Sequence, residues 1–242
     1  MYLSEEFLSV QGEVRSGELS IFIRFATCNR TCEHLKVEYT TPDGKVRYGC
    51  DSYDSVDKAF KNNWTRVNCE DLIAILEKYS NCKKVVITGG EPLLNANKPE
   101  FKKFIKHLIK NKYQITIETN GDLKIVDIEL FKKVIFSISP KGEIQDKDYW
   151  FMNKNSYIKA LYGINISTEY LKNLQNKGMT IYIMPLGESY KQTSQRLKET
   201  FEYCVKNGFN LTDRLHLNIF KDEAKSESLV MDNMMSDNRR WG

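Results

Sequence analysis

Hydrophobic positions along the chain follow two alternating periods. Short runs rich in β-branched and aromatic residues predict strands at 3–10, 20–25, 84–88, 114–118, 133–139, 158–161, 179–184 and 214–220. Apolar residues at helical spacing predict helices that start after Asn68 and near 99–111, 168–177 and 190–207, with Gly208 just past the last one. Strands and helices that alternate in this way indicate βαβ units around a mainly parallel sheet.

The length of the chain, 242 residues, is enough for one sizeable α/β domain. No Gly-x-Gly-x-x-Gly sequence opens a predicted helix, which argues against a dinucleotide-binding Rossmann fold. We therefore predict a single-domain, partial (open) α/β barrel with a mainly parallel sheet over residues 1–220. Residues 221–242 are more polar and are predicted to form a C-terminal tail outside that domain.

A turn sequence interrupts the first part of this pattern. Thr41-Pro42-Asp43-Gly44 lies between two runs of alternating polarity, which predicts a β-hairpin within residues 33–49. This segment separates Cys32 from Cys50. Because a hairpin returns the chain to its starting point, we expect Cys50 to lie beside Cys32 despite the long separation in sequence.

Composition and charge narrow the class of protein. Hydrophobic residues make up 41% and charged residues 28% of the chain, as in soluble globular proteins. The net charge of +4 is too balanced to predict nucleic-acid binding, and no apolar run has the length of a membrane span. The first residues lack the order of a signal peptide, so we expect a cytoplasmic protein whose six cysteines are not disulfide-bonded.

The cysteines fall into two groups. Cys69, Cys82 and Cys204 are isolated and are expected to be small buried hydrophobic residues, whereas Cys28, Cys32 and Cys50 lie within one short stretch. A structural zinc ion would need a fourth ligand, for which His34 is a candidate. Three thiolates also suit a four-iron cluster with one iron open to another ligand, and both alternatives stay open on spacing alone.

Several predicted strands end in polar loops that contain glycine or proline, namely 88–92, 118–121, 139–141 and 184–185. Each loop alone is typical of an ordinary turn. Because the carboxyl ends of parallel strands meet at one edge, the four loops and the Cys28 segment together predict a binding site there. Arg24 interrupts the apolar strand before Cys28, so it forms either a structural ion pair or a contact with an anionic ligand.

These residues resemble a known superfamily. Cys28-x₃-Cys32 with a third cysteine, and Gly89-Gly90-Glu91-Pro92 after a strand, resemble the radical S-adenosylmethionine (SAM) superfamily. Further segments are similar, within it, to the family of 7-carboxy-7-deazaguanine synthases: Ser9-Val10-Gln11-Gly12-Glu13, the strand from Ile21 to Cys28, Cys50-Asp51-Ser52, Glu118-Thr119-Asn120-Gly121 and Asp213-Arg214-Leu215-His216. The resemblance extends from about residue 3 to residue 220.

The resemblance implies a set of cofactors and ligands. Cys28, Cys32 and Cys50 would hold a [4Fe–4S] cluster whose open iron binds SAM, and Ser52 would ligate Mg²⁺. The remaining SAM contacts would come from Gly49, Asp51, Gly89, Gly90, Glu91, Glu118, Asn120, Ser139, Pro140, Lys141, Met184 and Pro185. The substrate, 6-carboxy-5,6,7,8-tetrahydropterin, would be surrounded by Val10, Gln11, Gly12, Glu13, Arg24, Thr88 and His216.

The implied reaction is a radical ring contraction that gives 7-carboxy-7-deazaguanine and ammonia, for queuosine or other 7-deazapurines. The resemblance also implies a reductant such as flavodoxin or ferredoxin, and a homodimer. A glycyl-radical activase of the same superfamily is the alternative, although Arg24 favours a small carboxylated substrate. The chain departs from the compact Cys-x₃-Cys-x₂-Cys pattern, because residues 33–49 separate the last two cysteines and Gly49 replaces an aromatic residue.

Overall fold

A computed structural model describes residues 1–164, 166–187 and 189–221, apart from the side chain of His34. The predicted tail therefore lies outside the described residues except for Lys221, and so does the side chain of His34 as a candidate zinc ligand. The fold below refers to the described part of the chain.

A mainly parallel sheet of nine strands forms the centre of the molecule, and two further strands form a separate hairpin. The strands are β1 (Tyr2–Val10), β2 (Leu19–Phe25), β3 (Val37–Thr40), β4 (Val46–Gly49), β5 (Thr65–Arg66), β6 (Lys84–Gly89), β7 (Gln114–Thr119), β8 (Ile135–Ile138), β9 (Tyr157–Tyr162), β10 (Thr180–Pro185) and β11 (Asn210–Leu211). Their order in the sheet is β11-β10-β9-β8-β7-β6-β2-β1-β5, and β1 pairs antiparallel with both of its neighbours, β2 and β5, whereas the other pairs are parallel. The sheet stays open, as the prediction of a partial barrel requires.

Seven α-helices connect or follow these strands among the described residues. They are α1 (Tyr53–Val56), α2 (Cys69–Lys78), α3 (Pro99–Lys110), α4 (Asp148–Phe151), α5 (Thr168–Asn176), α6 (Tyr190–Asn207) and α7 (Leu215–Phe220). Short 3₁₀ turns lie at Glu33–Leu35, Lys58–Asn63, Pro92–Asn95 and Ile128–Phe131.

Local sequence fixes several helix ends. Asn68 and Asp71 form a reciprocal cap at the start of α2, in which each side chain accepts a hydrogen bond from the other residue's backbone N–H. Gly208 ends α6 with a φ of 64°, a conformation that glycine adopts without strain. Both caps confirm the helix positions predicted from the sequence.

The two faces of the sheet have different environments. On β9, Ile158 and Ala160 are fully buried in the apolar core, whereas Tyr157, Lys159 and Leu161 line a cavity. This alternation follows from the two-residue period of a strand. One face of the sheet therefore packs on helices, and the inner face of the open barrel forms the wall of a cavity.

The prediction of a last strand at 214–220 is wrong, because Leu215–Phe220 forms helix α7. The alternating polarity of Arg214-Leu215-His216-Leu217 resembles a strand, but Leu217 and Phe220 also have helical spacing, and Leu217 is buried. The short strand β11 occupies the sheet edge instead. The prediction at 133–139 is right in kind, although only Ile135–Ile138 pairs as a strand.

Candidate functional site

A cavity of about 1400 Å³ opens on the inner face of the sheet. Most of the predicted site residues line it: Gln11, Gly12, Glu13, Arg24, Cys28, Cys32, Cys50, Asp51, Ser52, Thr88, Gly89, Gly90, Glu118, Asn120, Ser139, Lys141, Met184 and His216. Five predicted residues do not: Val10, Gly49, Glu91, Pro140 and Pro185. The structure therefore brings together loops that are about two hundred positions apart in the chain, such as those of Gln11 and His216.

The three clustered cysteines all face this cavity. Cys28 follows the end of β2, and Cys32 has a left-handed backbone with a φ of 52°. Val37 pairs with Gly49 across the hairpin, so the chain returns to the Cys32 side just before Cys50. The hairpin prediction is confirmed, and it accounts for the long separation between the last two cysteines.

The thiols lie in a poorly solvated environment. Burial raises the pKa of Cys28 to about 11 and that of Cys50 to about 12, and it also raises the pKa of Cys32. Without an added positive charge these groups stay protonated, whereas a bound metal centre would hold them as thiolates. Three free cysteines on one cavity wall are a donor set that fits a four-iron cluster with an open iron.

A single metal ion was the alternative to a cluster for the three cysteines. No group of three or more His, Cys, Asp or Glu side chains in the described part of the chain is placed to hold one metal ion. A tetrahedral zinc ion would need its ligands about 2.0–2.3 Å from the metal. The three cysteines line a common cavity.

An aromatic stack and a set of contacts to one carboxylate hold the hairpin beside the cysteines. The rings of Tyr39 and Tyr53 stack with their centres 4.3 Å apart. Tyr39 Oη and Arg47 Nη1 donate to the carboxylate of Asp57, at 2.8 Å and 2.7 Å respectively. A Cβ on Gly49 would lie 3.2 Å from the Tyr39 ring, so the small residue before Cys50 lets this ring pack closely.

Two glycines bring the Gly-Gly-Glu-Pro loop against the cysteine segment. A Cβ on Gly89 would lie 1.9 Å from the carbonyl oxygen of Phe25, and one on Gly90 would lie 2.2 Å from that of Thr27. Gly89 also has a φ of 134°, and Gly90 N–H donates to Phe25 O at 3.0 Å. Only glycine permits this approach, which places the loop directly beside Cys28.

Glu91 joins two of the strand-end loops. Its carboxylate is fully buried and accepts hydrogen bonds from Leu93 N–H, Asn120 N–H and Thr119 Oγ1 at 2.8–3.0 Å. Burial raises the pKa of this carboxyl to about 7 although the three donors act in the opposite direction. Glu91 therefore positions the loop of Asn120 relative to Gly90 and does not itself face the cavity.

The Gln11–Glu13 loop packs against the start of α7. Leu215 N–H donates to Gly12 O at 2.6 Å, and a Cβ on Gly12 would lie 2.8 Å from His216 Nδ1. Gln11 Nε2 donates to Ser20 Oγ at 3.0 Å. Residues from both ends of the described chain thus form one wall of the cavity.

Arg24 was predicted to form either a structural ion pair or a contact with an anionic ligand, and its position allows both. Its Nε donates to Glu5 Oε1 at 2.6 Å, which is a structural ion pair, and Nη1 lies 3.5 Å from Ser52 Oγ. The side chain also lines the cavity, so its guanidinium can meet an anionic ligand.

Sequence analysis did not single out Lys159 and Arg214 as site residues. Lys159 Nζ contacts the carboxylates of Glu13 and Glu118, and Arg214 Nη2 donates to Asp51 Oδ2 at 2.9 Å. The sequence feature that could have indicated Lys159 is a charged residue within the apolar run 157–161. Arg24 interrupts its own apolar strand in the same way.

These ion pairs set the charge of their carboxylates. Burial alone would raise the pKa of Asp51, but Arg214 and Lys141 outweigh it and lower the pKa to about 2. Burial likewise opposes ionisation of Glu13, and Lys159 and Arg214 lower its pKa despite that. The cavity wall therefore carries fixed charges of both signs.

Comparisons with known proteins agree with this geometry. The family model of the radical SAM superfamily matches residues 23–191. A 7-carboxy-7-deazaguanine synthase from Aquifex aeolicus is 30% identical over 206 residues, which cover 84% of this chain and 82% of the relative. One from Clostridium acetobutylicum is 28% identical over 199 residues, covering 75% and 80% of the two chains.

The fold has a solved counterpart as well. The crystal structure of QueE from Escherichia coli matches with a TM-score of 0.61 and 20% identity, over 88% of this chain and 93% of that one. The chain belongs to the radical SAM superfamily and, within it, to the family of 7-carboxy-7-deazaguanine synthases.

Membership makes the chain an enzyme, a lyase that uses SAM and a [4Fe–4S] cluster and acts on a small molecule with a reductant. In the described residues, no helix combines the length and apolarity needed to span a bilayer.

Proposed function

We propose that this chain converts 6-carboxy-5,6,7,8-tetrahydropterin to 7-carboxy-7-deazaguanine with release of ammonia. The observation that carries the proposal is that one cavity is lined by the three clustered cysteines, by Gly89 and Gly90 of the Gly-Gly-Glu-Pro loop, and by the Gln11–Glu13 loop. Residues that the resemblance assigns to the cofactors and to the substrate line this one space, which supports the proposal.

The cofactor side of the site is the Cys28 end of the cavity. Cys28, Cys32 and Cys50 would hold the cluster, and the loops at Gly89–Gly90 and Asn120 would bind SAM. When bound, these cofactors would supply radical chemistry for the abstraction of a hydrogen atom from the substrate. Glu91 supports this wall from behind by fixing the two loops through its hydrogen bonds.

The substrate side lies across the same cavity. Arg24 lines the cavity with its Nε held by Glu5 and its Nη1 3.5 Å from Ser52 Oγ, so a carboxylate on the substrate would have a cation to meet. Glu13, Thr88 and His216 line the adjoining wall. This chain's task is to hold the ring in a fixed position and to keep water from the reacting atoms.

Three finer assignments belong to the same proposal. Ser52 would offer its hydroxyl to Mg²⁺, supported by the Asp51 carboxylate 3.5 Å away. The reductant would be flavodoxin or ferredoxin, and the enzyme would act as a homodimer. Its product would enter 7-deazapurine biosynthesis, which includes the precursor of queuosine in tRNA.

Turnover under anaerobic conditions tests the proposal. The reconstituted protein is incubated with a strong reductant, SAM, Mg²⁺ and carboxytetrahydropterin, and products are identified by mass spectrometry with a parallel ammonia assay. We expect 7-carboxy-7-deazaguanine and ammonia in equal amounts. SAM cleavage without either product would contradict the proposed substrate and favour a different radical SAM reaction such as glycyl-radical activation.

A further inference from the structure

Lys159 is the charged side chain most deeply placed in the wall of the cavity. It lies on β9 between the core residues Ile158 and Ala160, and its side chain is only 9% exposed. A lysine is rarely buried to this extent unless its ammonium is paired. Its position on the cavity face of the strand directs the charge toward the ligand space.

Two carboxylates share this ammonium. Lys159 Nζ contacts Glu13 Oε2, and it donates to Glu118 Oε1 at 3.3 Å. Glu118 keeps its second oxygen for Thr88 Oγ1, which donates at 2.8 Å. The ammonium therefore lies where the Gln11–Glu13 loop meets the carboxyl end of β7.

The group is a fixed cation. Burial by itself would lower the pKa of Lys159, but Glu118 and Glu13 outweigh burial and the pKa is raised. An ammonium has three N–H donors, and the contacts to Glu13 and Glu118 use two of them. One donor is left by count for an acceptor on a bound molecule.

The edge of a pterin ring matches this pair of opposite charges. A 2-amino-4-oxo pyrimidine ring presents N–H donors from its amino group and N3, beside one acceptor, the C4 oxygen. A carboxylate accepts from the N–H groups, and an ammonium next to it donates to the oxygen. Glu13 and Lys159 offer that combination in direct contact with each other.

We propose that Lys159 is a specificity-determining residue, whose ammonium donates a hydrogen bond to the C4 oxygen of the pterin ring while Glu13 accepts from the ring N–H groups. The inference rests on the proposed substrate and identifies the residue that recognises its C4 oxygen. A ring with an amino group at C4 presents a donor to Lys159 in place of the acceptor, and it leaves the third N–H of the ammonium without an acceptor. Its N3 also carries no proton to donate to Glu13.

Binding of two stable ring analogues tests this inference without turnover. The probes are 6-carboxypterin and 2,4-diamino-6-carboxypteridine, titrated anaerobically into the SAM-loaded protein at a pH where both rings are neutral. The wild type is expected to bind the oxo ring at least about tenfold more tightly, because a charged hydrogen bond is lost with the amino ring. In Lys159→Met this preference is expected to fall at least about fivefold without vanishing, because the amino ring also lacks the N3–H from which Glu13 accepts.

A matched control removes a different partly buried lysine. Lys172 on α5 donates to Asn207 O and lies over the Phe209 ring, away from the cavity lining. Lys172→Met is expected to keep the wild-type preference for the oxo ring. A preference as large in Lys159→Met as in the wild type, or no preference in the wild type, would overturn the role of Lys159.

Failure of the Lys159 assignment can be distinguished from misfolding of the variant and from failure of the proposed substrate. Should Lys159→Met fail to fold by circular dichroism, Lys159→Gln decides: its neutral amide is expected to reduce the preference at least about threefold, and an unchanged preference overturns the inference. Absence of binding of either probe to the wild type would contradict the proposed substrate itself. Binding of both probes without preference would contradict only the assignment of Lys159.

Discussion

At the scale of single residues, the site depends on paired charges in the cavity wall. Arg24 with Glu5, Lys159 with Glu13 and Glu118, and Arg214 with Asp51 each place a cation against a carboxylate in the cavity wall. Removing one member of such a pair leaves the other uncompensated. Tests of these residues therefore need a control in which the partner, and not the residue itself, is changed.

Arg24→Ala is expected to weaken binding of 6-carboxypterin by roughly 10- to 150-fold, the equivalent of about 1.5–3 kcal/mol for a charged hydrogen bond. SAM binding is expected to change by less than about threefold, because other loops provide those contacts. Isothermal titration of each ligand into anaerobically reconstituted protein measures both constants.

Glu5→Gln is the control for Arg24→Ala, since it removes the charge partner and keeps the guanidinium. It is expected to bind 6-carboxypterin nearly as well as the wild type does. Equal losses of pterin and SAM affinity in Arg24→Ala would refute the assignment, as would an equal loss of pterin affinity in the two variants.

His216 gives the free energy of unfolding a defined pH dependence. Burial lowers its pKa below the ordinary 6.5, with a further contribution from Arg214, and the nearby Glu13, Asp51 and Asp213 only partly offset this. As the pH falls, the unfolded chain therefore binds the proton first. The stabilising contribution is present above pH 6.5 and is lost as the pH falls through 6.5 toward the folded-state pKa.

Urea unfolding at a series of pH values measures this effect. The wild type is expected to lose stability below pH 6.5 more steeply than His216→Gln does, whereas the two curves run parallel above it. Parallel curves over the whole acid range would show that His216 is not shifted as the structure indicates.

At the scale of elements, local sequence explains some features and tertiary contacts explain others. The hairpin and the Asn68 cap were predictable because Thr41–Gly44 and Asn68–Asp71 encode a turn and a cap in adjacent residues. Helix α7 was not, because its short sequence fits either period and only the burial of Leu217 decides between them.

The hairpin is expected to hold the segment around Cys50 in place. Asp57→Ala removes the acceptor for both Tyr39 and Arg47 as well as the contact to Ala59 N–H. We expect about 1–2 kcal/mol less stability and a lower iron content after reconstitution, because the segment around Cys50 is less well held. Iron analysis and thermal unfolding of the same samples provide the measurements.

Glu38→Ala is the matched control on the exposed side of the same hairpin, where Glu38 accepts from Tyr48 Oη at 2.9 Å. It is expected to load iron as the wild type does. Equal iron contents in wild type, Asp57→Ala and Glu38→Ala would remove the proposed link between the hairpin and the cysteine site.

At the scale of the whole molecule, the open sheet brings distant loops to one inner face. Residue types at strand ends were visible in the sequence, and so was their common edge, because parallel strands share a direction. The ion pairs Lys159–Glu13 and Arg214–Asp51 were not, because each joins segments more than a hundred residues apart. Those contacts depend on the curvature and packing of the complete sheet.

The central claim is that Cys28, Cys32 and Cys50 hold one cluster although residues 33–49 separate the last two. Iron content and visible absorption after anaerobic reconstitution of Cys50→Ala test it most directly, with the isolated, buried Cys204→Ala as control. We expect about four irons per chain in the wild type and in Cys204→Ala, and loss of most iron and of the visible band in Cys50→Ala. Full iron content and an unchanged spectrum in Cys50→Ala would contradict the claim.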